Sequence, residues 1–190
     1  TEVDGRFPRP PEPLPENLGD LSRLVRESGA AIGLAVDPDV DRLALVDEAG
    51  APIGEDYTLA LAVRAMLSHS AEPSRGRAGQ PTVVANLSTS LVVEDAARLG
   101  GARFVRAPVG EANVARTIRD EGALIGGEGN GGVILPSLHI GRDAPVGVAL
   151  ILHLLAATGQ SVTSLVGGQP RYRIVKAKAP RGNDLAPVYA

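Results

Sequence analysis

Residues 82–106, TVVANLSTSLVVEDAARLGGARFVR, indicate the class of fold. Within them we expect a buried strand, a helix and a second strand, at Thr82 to Ala85, Thr89 to Leu99 and Arg103 to Arg106. Ser88 is the expected N-terminal cap of the helix, and Gly100 and Gly101 are expected to end it. A strand, a helix and a strand in this order are typical of α/β proteins with a parallel sheet.

The same alternation extends to both sides of this stretch. Apolar residues on one helical face predict helices at Glu16 to Ser28 and Glu111 to Glu121, and a mostly apolar run predicts another at Tyr57 to Ser68. A helix from about Ala144 to Thr158 is expected because Asp143 can cap it, Pro145 falls near its first turn and Gly159 ends it. Short apolar runs predict strands at Ile32 to Val36, Leu43 to Val46, Leu124 to Ile125 and Tyr172 to Val175. Residues 72–80, which are polar and rich in glycine and arginine, are expected to form an exposed loop. We therefore expect an α/β fold with a largely parallel sheet, whose ligand sites gather at the strand ends.

The segment DPDVDR, residues 37–42, places three carboxylates between two predicted strands. So many negative charges in one place are costly unless a cation balances them. Along an extended or tightly looped backbone successive side chains alternate sides, so every second residue can converge on one point. Mg²⁺ prefers oxygen ligands and leaves positions for water or a substrate phosphate. Asp37, Asp39 and Asp41 are therefore candidate metal ligands, and Arg42 adds a planar fork suited to phosphate or carboxylate.

Other interpretations of this acidic loop were weighed against the metal site. A solvated turn is the simplest, since Asp and Pro are common between strands. An EF-hand would use Glu48 as its last ligand, but Arg42 stands where that loop needs glycine and the flanks are predicted strands. A haloacid-dehalogenase-like phosphatase, with a strand-end Asp as nucleophile, stays open as an alternative. So does a non-enzymatic module that binds a metal or a sugar phosphate.

The segment GGEGNGG, residues 126–132, is the second candidate site. Its glycines let the backbone approach a ligand closely, and Glu128 and Asn130 offer hydrogen-bonding groups suited to hydroxyls. It is not a P-loop, because no Gly-Lys-Ser/Thr sequence follows. A flexible surface loop is the alternative. Arg142, with His139 close by in sequence, could meet an anionic substrate near this segment.

Composition excludes several functional classes. The chain has 190 residues, 44% of them hydrophobic and 22% charged, which is enough for one sizeable core. A net charge of −3 and the lack of basic runs with interleaved aromatics argue against nucleic acid as a partner. No stretch is long enough for a membrane span, and no membrane partner is expected. Without cysteine there is neither a disulfide framework nor a Cys-based zinc site, which fits a cytoplasmic location.

Taken together, the motifs resemble the alpha-D-phosphohexomutase family, which comprises phosphomannomutases, phosphoglucomutases and phosphoglucosamine mutases. The family's metal loop reads Asp-x-Asp-x-Asp-Arg, as residues 37–42 do. Further matching segments follow in order at Asn86 to Ser90, Val109 to Glu111, Gly127 to Gly131 and Gly141 to Asp143. The resemblance covers nearly the whole chain, and the acidic loop and glycine segment together make it specific.

The resemblance implies a fold and a domain organisation. The family's enzymes have four domains, and their domain 3 is a four-stranded mixed sheet with helices on both sides. By resemblance, residues 1–52 are the end of domain 2 with the metal loop, a partial α/β domain, and residues 53–168 are domain 3 with the sugar-recognition loop. Residues 169–190 are expected to be a linker toward a C-terminal domain. The family's phosphoserine and phosphate-gripping segments are not found in this sequence, so we expect a fragment that is inactive alone.

The resemblance also implies an activity, an isomerase that interconverts hexose 1-phosphate and 6-phosphate through a phosphoserine and a hexose 1,6-bisphosphate intermediate. Mg²⁺ would be held by the three aspartates of the acidic loop, and Arg42 would orient the transferring phosphate. Gly110, Glu128, Asn130 and Arg142 would bind the substrate. Glu111 stands where some members use histidine as a candidate general base, so it is a candidate catalytic residue. Glucosamine, mannose and glucose phosphates all remain possible substrates.

Overall fold

A computed structural model describes residues 9–69 and 79–174. After a 3₁₀ turn at Pro15–Asn17, the helices are α1 (Gly19–Ser28), α2 (Glu55–His69), α3 (Leu91–Leu99), α4 (Glu111–Glu121), α5 (Ala144–Thr158) and α6 (Val162–Gly167). The strands are β1 (Gly33–Val36), β2 (Leu43–Val46), β3 (Thr82–Asn86), β4 (Arg103–Ala107), β5 (Ile125–Glu128) and β6 (Gly132–Ile134). Within these ranges no helix has the length and apolar character needed to cross a membrane.

A four-stranded mixed sheet forms the centre of the molecule, as the resemblance implied. Its strand order is β4-β3-β5-β6. Strand β3 pairs in parallel with both β4 and β5, whereas β6 runs antiparallel to β5. The carboxyl ends of β3, β4 and β5 therefore meet at one edge, where Asn86, Ala107 and Glu128 end their strands. This edge is where ligands bind in open α/β sheets.

Helices cover both faces of this sheet because alternate strand residues point to opposite sides. Val83 and Ile125 pack with apolar residues of α2 and α3 in one core cluster. Val84 points the other way and packs with Val114 and Ile118 of α4. Three layers result, which explains why β3 is buried along its whole length.

The second sheet is a two-stranded antiparallel hairpin of β1 and β2, which holds the acidic loop at its tip. Leu43 and Leu45 pack against α2, α5 and α6. Ala44 and Val46 face the opposite way, toward Leu18 and Val25 beside and within α1, so β2 is buried on both sides. The hairpin is thereby fixed against the same helices that cover the four-stranded sheet, and the acidic loop has a defined position relative to the sheet edge.

Several helix boundaries differ from the predicted ones. The helix expected from Glu16 begins at Gly19, because proline and asparagine precede it as a 3₁₀ turn. Helix α3 is capped by Ser90 rather than Ser88, since the Ser90 hydroxyl accepts a hydrogen bond from the Val92 amide. The prediction for α5 is confirmed, with Asp143 as its cap and Gly159 in the left-handed conformation at its end.

The predictions were wrong for the glycine segment and for the segment that begins at Tyr172. The glycine segment is not a loop throughout, because residues 126–128 belong to β5 and residues 132–134 form the unexpected strand β6. Helix α6 was also missed. The strand expected from Tyr172 is absent over the described part of that segment, residues 172–174, and Val175 lies outside the described residues. Most of the expected loop at residues 72–80 also lies outside them.

Candidate functional site

The three aspartates of the acidic loop converge as predicted, although not through an extended backbone. One oxygen from each of Asp37, Asp39 and Asp41 lies within 4.8 Å of the other two. A turn brings them together, because the Val40 amide donates to the Asp37 carbonyl at 3.2 Å and Val40 has a left-handed φ of 59°. Of the two expected backbone geometries, the tight loop is the one that brings the three aspartates together.

The Asp37 carboxylate bonds to the backbone of the acidic loop with one oxygen and faces Arg42 with the other. Its Oδ1 accepts hydrogen bonds from the backbone amides of Asp41 at 3.1 Å and Arg42 at 3.0 Å. Its Oδ2 is left to face Arg42, whose Nε lies 3.5 Å away. Arg42 reaches in the other direction to Glu12, with 3.6 Å between Nη1 and Oε1. The loop is thus closed by its own first carboxylate.

Asp41 is the most perturbed titratable group of the site. Burial raises its pKa to about 6, and the neighbouring carboxyls of Asp37 and Asp39 add to that effect, while the Arg142 guanidinium opposes it. Among the described residues its Oδ1 has no hydrogen-bond partner although the atom is buried. A buried acceptor without a partner, beside two further carboxylates, fits a hard divalent cation such as Mg²⁺.

Replacing Val40 with asparagine is expected to raise the free energy of unfolding of the chain by about 1 kcal/mol, because a β-branched residue is strained at positive φ and asparagine tolerates it. Chemical denaturation of the metal-free chain measures the change. The matched control is Val36→Asn, a similarly exposed valine in the extended strand β1, where the same change is expected to destabilise. Equal changes in the free energy of unfolding for the two variants would contradict backbone strain at Val40.

A glycine turn, Gly129 to Gly131, connects β5 to β6 and touches the hairpin that carries the acidic loop. The Leu43 amide, at the start of β2, donates to the Gly131 carbonyl at 3.0 Å. Gly131 has a φ of 90°, and a Cβ at this position would overlap the Leu43 carbonyl oxygen. Glycine is required here both for the backbone conformation and for the close approach. The glycine turn is therefore hydrogen-bonded to the hairpin that carries the acidic loop.

Arg142 joins the two motifs directly. Its Nη2 pairs with Asp41 Oδ2, and its Nη1 donates to Glu128 Oε2 at 2.9 Å. Its Nε lies 3.3 Å from Glu111 Oε2, and its backbone amide donates to Glu111 Oε1 at 2.9 Å. The side chain is only 12% exposed, so these pairs are poorly screened by water. One guanidinium thus holds carboxylates from the acidic loop, the start of α4 and the end of β5.

Glu128 is held from its other side as well. Its Oε1 accepts from Asn86 Nδ2 at 2.6 Å and from the Gly110 amide at 3.3 Å. Gly110 is predicted to bind substrate, but in this structure its N–H donates a hydrogen bond to Glu128. Asn86 ends β3, Gly110 precedes α4 and Glu128 ends β5, so the carboxylate lies where the strand ends meet.

The predicted residues do not all lie together. Asp41, Glu111, Glu128 and Arg142 form one connected cluster, whereas Arg42 lies on the side of the acidic loop that faces Glu12. Asn130 accepts a hydrogen bond from the Gly132 amide through Oδ1 at 3.3 Å. Asn130 also lines, with Glu128 and Ser88, a cleft of about 660 Å³ beside the cluster. His139 is not part of the cluster, because its Nε2 pairs with Asp143 Oδ2 at 2.8 Å.

Two residues of the site were missed as functional candidates. Thr89 belongs to a serine and threonine run that helix capping explains, and Asn86 begins a segment that matches the family without an assigned role. Both side chains are buried and bonded to the glycine turn or to Glu128. The available signal was the position of Asn86 at the end of a strand of a parallel sheet, where ligand sites gather.

Comparisons with protein families match nearly all of the described residues. The model described as "Phosphoglucomutase/phosphomannomutase, alpha/beta/alpha domain III" matches residues 54–172. The corresponding model of alpha/beta/alpha domain II matches residues 1–50. The boundary between the two matches falls just after the β1–β2 hairpin.

Individual relatives agree with these matches. The chain is 38% identical to a probable phosphoglucosamine mutase of Methanopyrus kandleri, over 97% of the chain and 39% of the relative. It is also 38% identical to a phosphoglucomutase/phosphomannomutase of Thermococcus kodakarensis, over 98% of the chain and 40% of the relative. A solved structure of a phosphoglucomutase/phosphomannomutase family protein from Burkholderia thailandensis has a TM-score of 0.75 at 28% identity, covering 90% of this chain and 36% of that one. The chain thus spans about two-fifths of the length of these relatives.

Proposed function

We propose, since this chain belongs to the phosphoglucomutase/phosphomannomutase family, that it is the metal-binding and sugar-binding part of a longer, cytoplasmic phosphohexomutase. The enzyme would interconvert hexose 1-phosphate and 6-phosphate through a phosphoserine on another domain and a hexose 1,6-bisphosphate intermediate. Residues 1–52 would complete domain 2, residues 53–168 would be domain 3, and residues 169–190 would lead toward the next domain. These other domains of the same polypeptide are the partners we propose.

The Arg142 cluster carries this proposal. A binding site for a sugar phosphate has to recognise both hydroxyls and a phosphate, and the cluster places Glu128 next to a guanidinium and next to the acidic loop. The family match favours a phosphohexomutase over the haloacid-dehalogenase-like phosphatase and over a non-enzymatic binding module. An anionic substrate would compete with the three carboxylates for Arg142, because guanidinium forks bind phosphate as readily as carboxylate.

Each residue of the site would have a role that follows from the chemistry of its side chain. Glu128 would accept a hydrogen bond from a sugar hydroxyl, and Asn130 would line the same cleft. Arg142 would bind a substrate phosphate, and Arg42 would orient the transferring group from the other side of the loop. Glu111, which is partly exposed and touches Arg142, is the candidate general base. Mg²⁺, held by Asp37, Asp39 and Asp41, would offset the charge that develops on the transferring phosphoryl group.

The full-length polypeptide that contains this chain is expected to convert at least one of glucosamine, mannose or glucose 1-phosphate to its 6-phosphate in the presence of Mg²⁺. The 190-residue chain alone is expected to convert none of them, because phosphoryl transfer needs the phosphoserine that we assign to another domain. A coupled assay on all three substrates measures both. Turnover by the isolated chain, or none by the full-length protein, would contradict the proposal.

A further inference from the structure

We propose that Asn86 is a positioning residue, which fixes the orientation of the Glu128 carboxylate and so decides which of its oxygens can meet the substrate. This inference rests on the proposed function for the identity of that substrate as a sugar phosphate. The hydrogen bond itself does not depend on it.

The Asn86 side chain has only one satisfactory orientation. It is buried, with 3% exposure. Its Oδ1 accepts three hydrogen bonds, from the Ser88 amide at 3.1 Å, the Ser88 hydroxyl at 3.0 Å and the Thr89 hydroxyl at 2.8 Å. A flipped amide would turn its N–H groups toward the Ser88 backbone amide, which can only donate, and its oxygen toward the Glu128 carboxylate, which can only accept. Its Nδ2 must therefore point at Glu128 Oε1, 2.6 Å away.

This donor leaves Glu128 with one oxygen for a ligand. Oε1 also accepts from the Gly110 amide at 3.3 Å, which fills both of its acceptor directions. Oε2 accepts from Arg142 Nη1 at 2.9 Å and keeps a second acceptor direction. Oε2 is therefore the oxygen with an acceptor direction still open to a sugar hydroxyl, whereas Oε1 already has two donors. The carboxylate would present a single acceptor in one fixed direction, which is what discrimination between ring configurations requires.

Thr89 links the Asn86 side chain to the glycine turn. Its hydroxyl donates to Asn86 Oδ1 and accepts from the Gly129 amide at 3.0 Å. Asn86 and Gly129 are thus tied through one hydroxyl, and Gly129 directly follows Glu128. The backbone and the side chain of Glu128 are positioned by one network that begins at the end of β3.

Asn86→Asp separates positioning from a merely structural role. Aspartate keeps the oxygen that Ser88 and Thr89 need, and it forms the same kind of turn as asparagine. It replaces the donor to Glu128 with an oxygen, so two carboxylates would face each other. In the full-length enzyme at pH 8 we expect kcat/KM to fall by about 10- to 100-fold. Gln160→Glu makes the same amide-to-carboxylate change at an exposed residue outside the site, so it is the matched control and is expected to stay within about threefold of the parent.

The pH profile gives a readout that a structural defect would not move. Two carboxylates in contact share a proton with a raised apparent pKa, and the bound proton restores a donor between them. Arg142 faces this pair directly and is itself paired with Glu111. Arg106 donates to the Asn86 carbonyl at 3.2 Å, and Glu16, Glu55 and Asp56 line the same cleft. The activity of the Asn86→Asp enzyme relative to the parent is therefore expected to recover as the pH is lowered from 8 toward 6.

Each outcome decides the inference. Parent-like activity of Asn86→Asp at pH 8, or a loss that does not change with pH, would overturn it. If Asn86→Asp does not fold, ¹⁵N-asparagine labelling of the parent decides instead, since the Asn86 side-chain amide signal should shift strongly in Glu128→Gln. An unchanged signal would overturn the inference. If the parent lacks mutase activity, the proposed function fails, and the same amide signal still tests the contact between Asn86 and Glu128.

Discussion

Replacing Arg142 with methionine is expected to lower the free energy of unfolding of the metal-free chain by about 3–5 kcal/mol at pH 7.5. Methionine fills a similar volume but leaves Asp41, Glu111 and Glu128 without their shared cation. Unpaired carboxylates in a poorly solvated cluster repel each other and lose the ion-pair energy that offset their burial. Urea denaturation in the presence of a chelator measures the loss.

Two controls test whether the lost charge causes this decrease in the free energy of unfolding. Arg142→Lys keeps one positive charge but not the planar fork, so we expect a smaller loss. Lower pH should also relieve the defect of Arg142→Met. The pKa of Asp41 is already about 6 with Arg142 opposing the rise, so it should rise further in the variant. The folded state then binds a proton that the unfolded state releases above its ordinary pKa near 4, and stability returns as the pH falls through 6. A loss that is equal at pH 5 and pH 7.5 would show that packing, and not charge, is responsible.

Replacing Asp39 with asparagine is expected to weaken binding of Mg²⁺ or Mn²⁺ to the full-length protein by about 10- to 100-fold. Asp39 is the exposed member of the triad, and its carboxylate makes no hydrogen bond among the described residues. Its replacement therefore removes one charged ligand with little effect on folding. Isothermal titration calorimetry with Mg²⁺, or the electron paramagnetic resonance signal of free Mn²⁺, measures the affinity without an activity assay.

Asp120→Asn on the surface of α4 is the control for the general loss of one negative charge. Asp37→Asn is expected to reduce the affinity as well and also to destabilise the acidic loop, because Asp37 Oδ1 accepts two backbone amides. Metal binding that is the same in Asp39→Asn and in the parent would remove Asp39 from the ligand set.

An element was readable from the sequence where local residues mark its start and its end. Helix α5 has a cap, a proline in its first turn and a glycine after its end, and its predicted bounds are correct. Strand β6 could not be recognised, because Gly132, Val133 and Ile134 are too few to show a period and follow a run of glycines. Pairing with β5 creates this strand, and pairing is not a local property of the chain.

The candidate site was predictable as a set of residue types but not as an arrangement. The three aspartates were found because carboxylates at this spacing are costly unless a cation balances them. Asn86 was not found, because an asparagine before serine and threonine is explained equally well by a turn. Its role depends on Glu128, which is 42 residues away in the chain and adjacent only through the pairing of β3 with β5.

By itself the sequence determined the alternation of strands and helices, the acidic residues of the loop and the glycines of the turn, because these depend on local periodicity, charge and backbone freedom. The tertiary structure alone decided that Arg142 connects the loop to Glu128, and that Asn86 holds the other oxygen of that carboxylate. The physical reason is distance along the chain. Parallel strand pairing and the packing of the hairpin against α2 and α5 bring together carboxylates that no local pattern relates, and a single buried guanidinium then balances their charge.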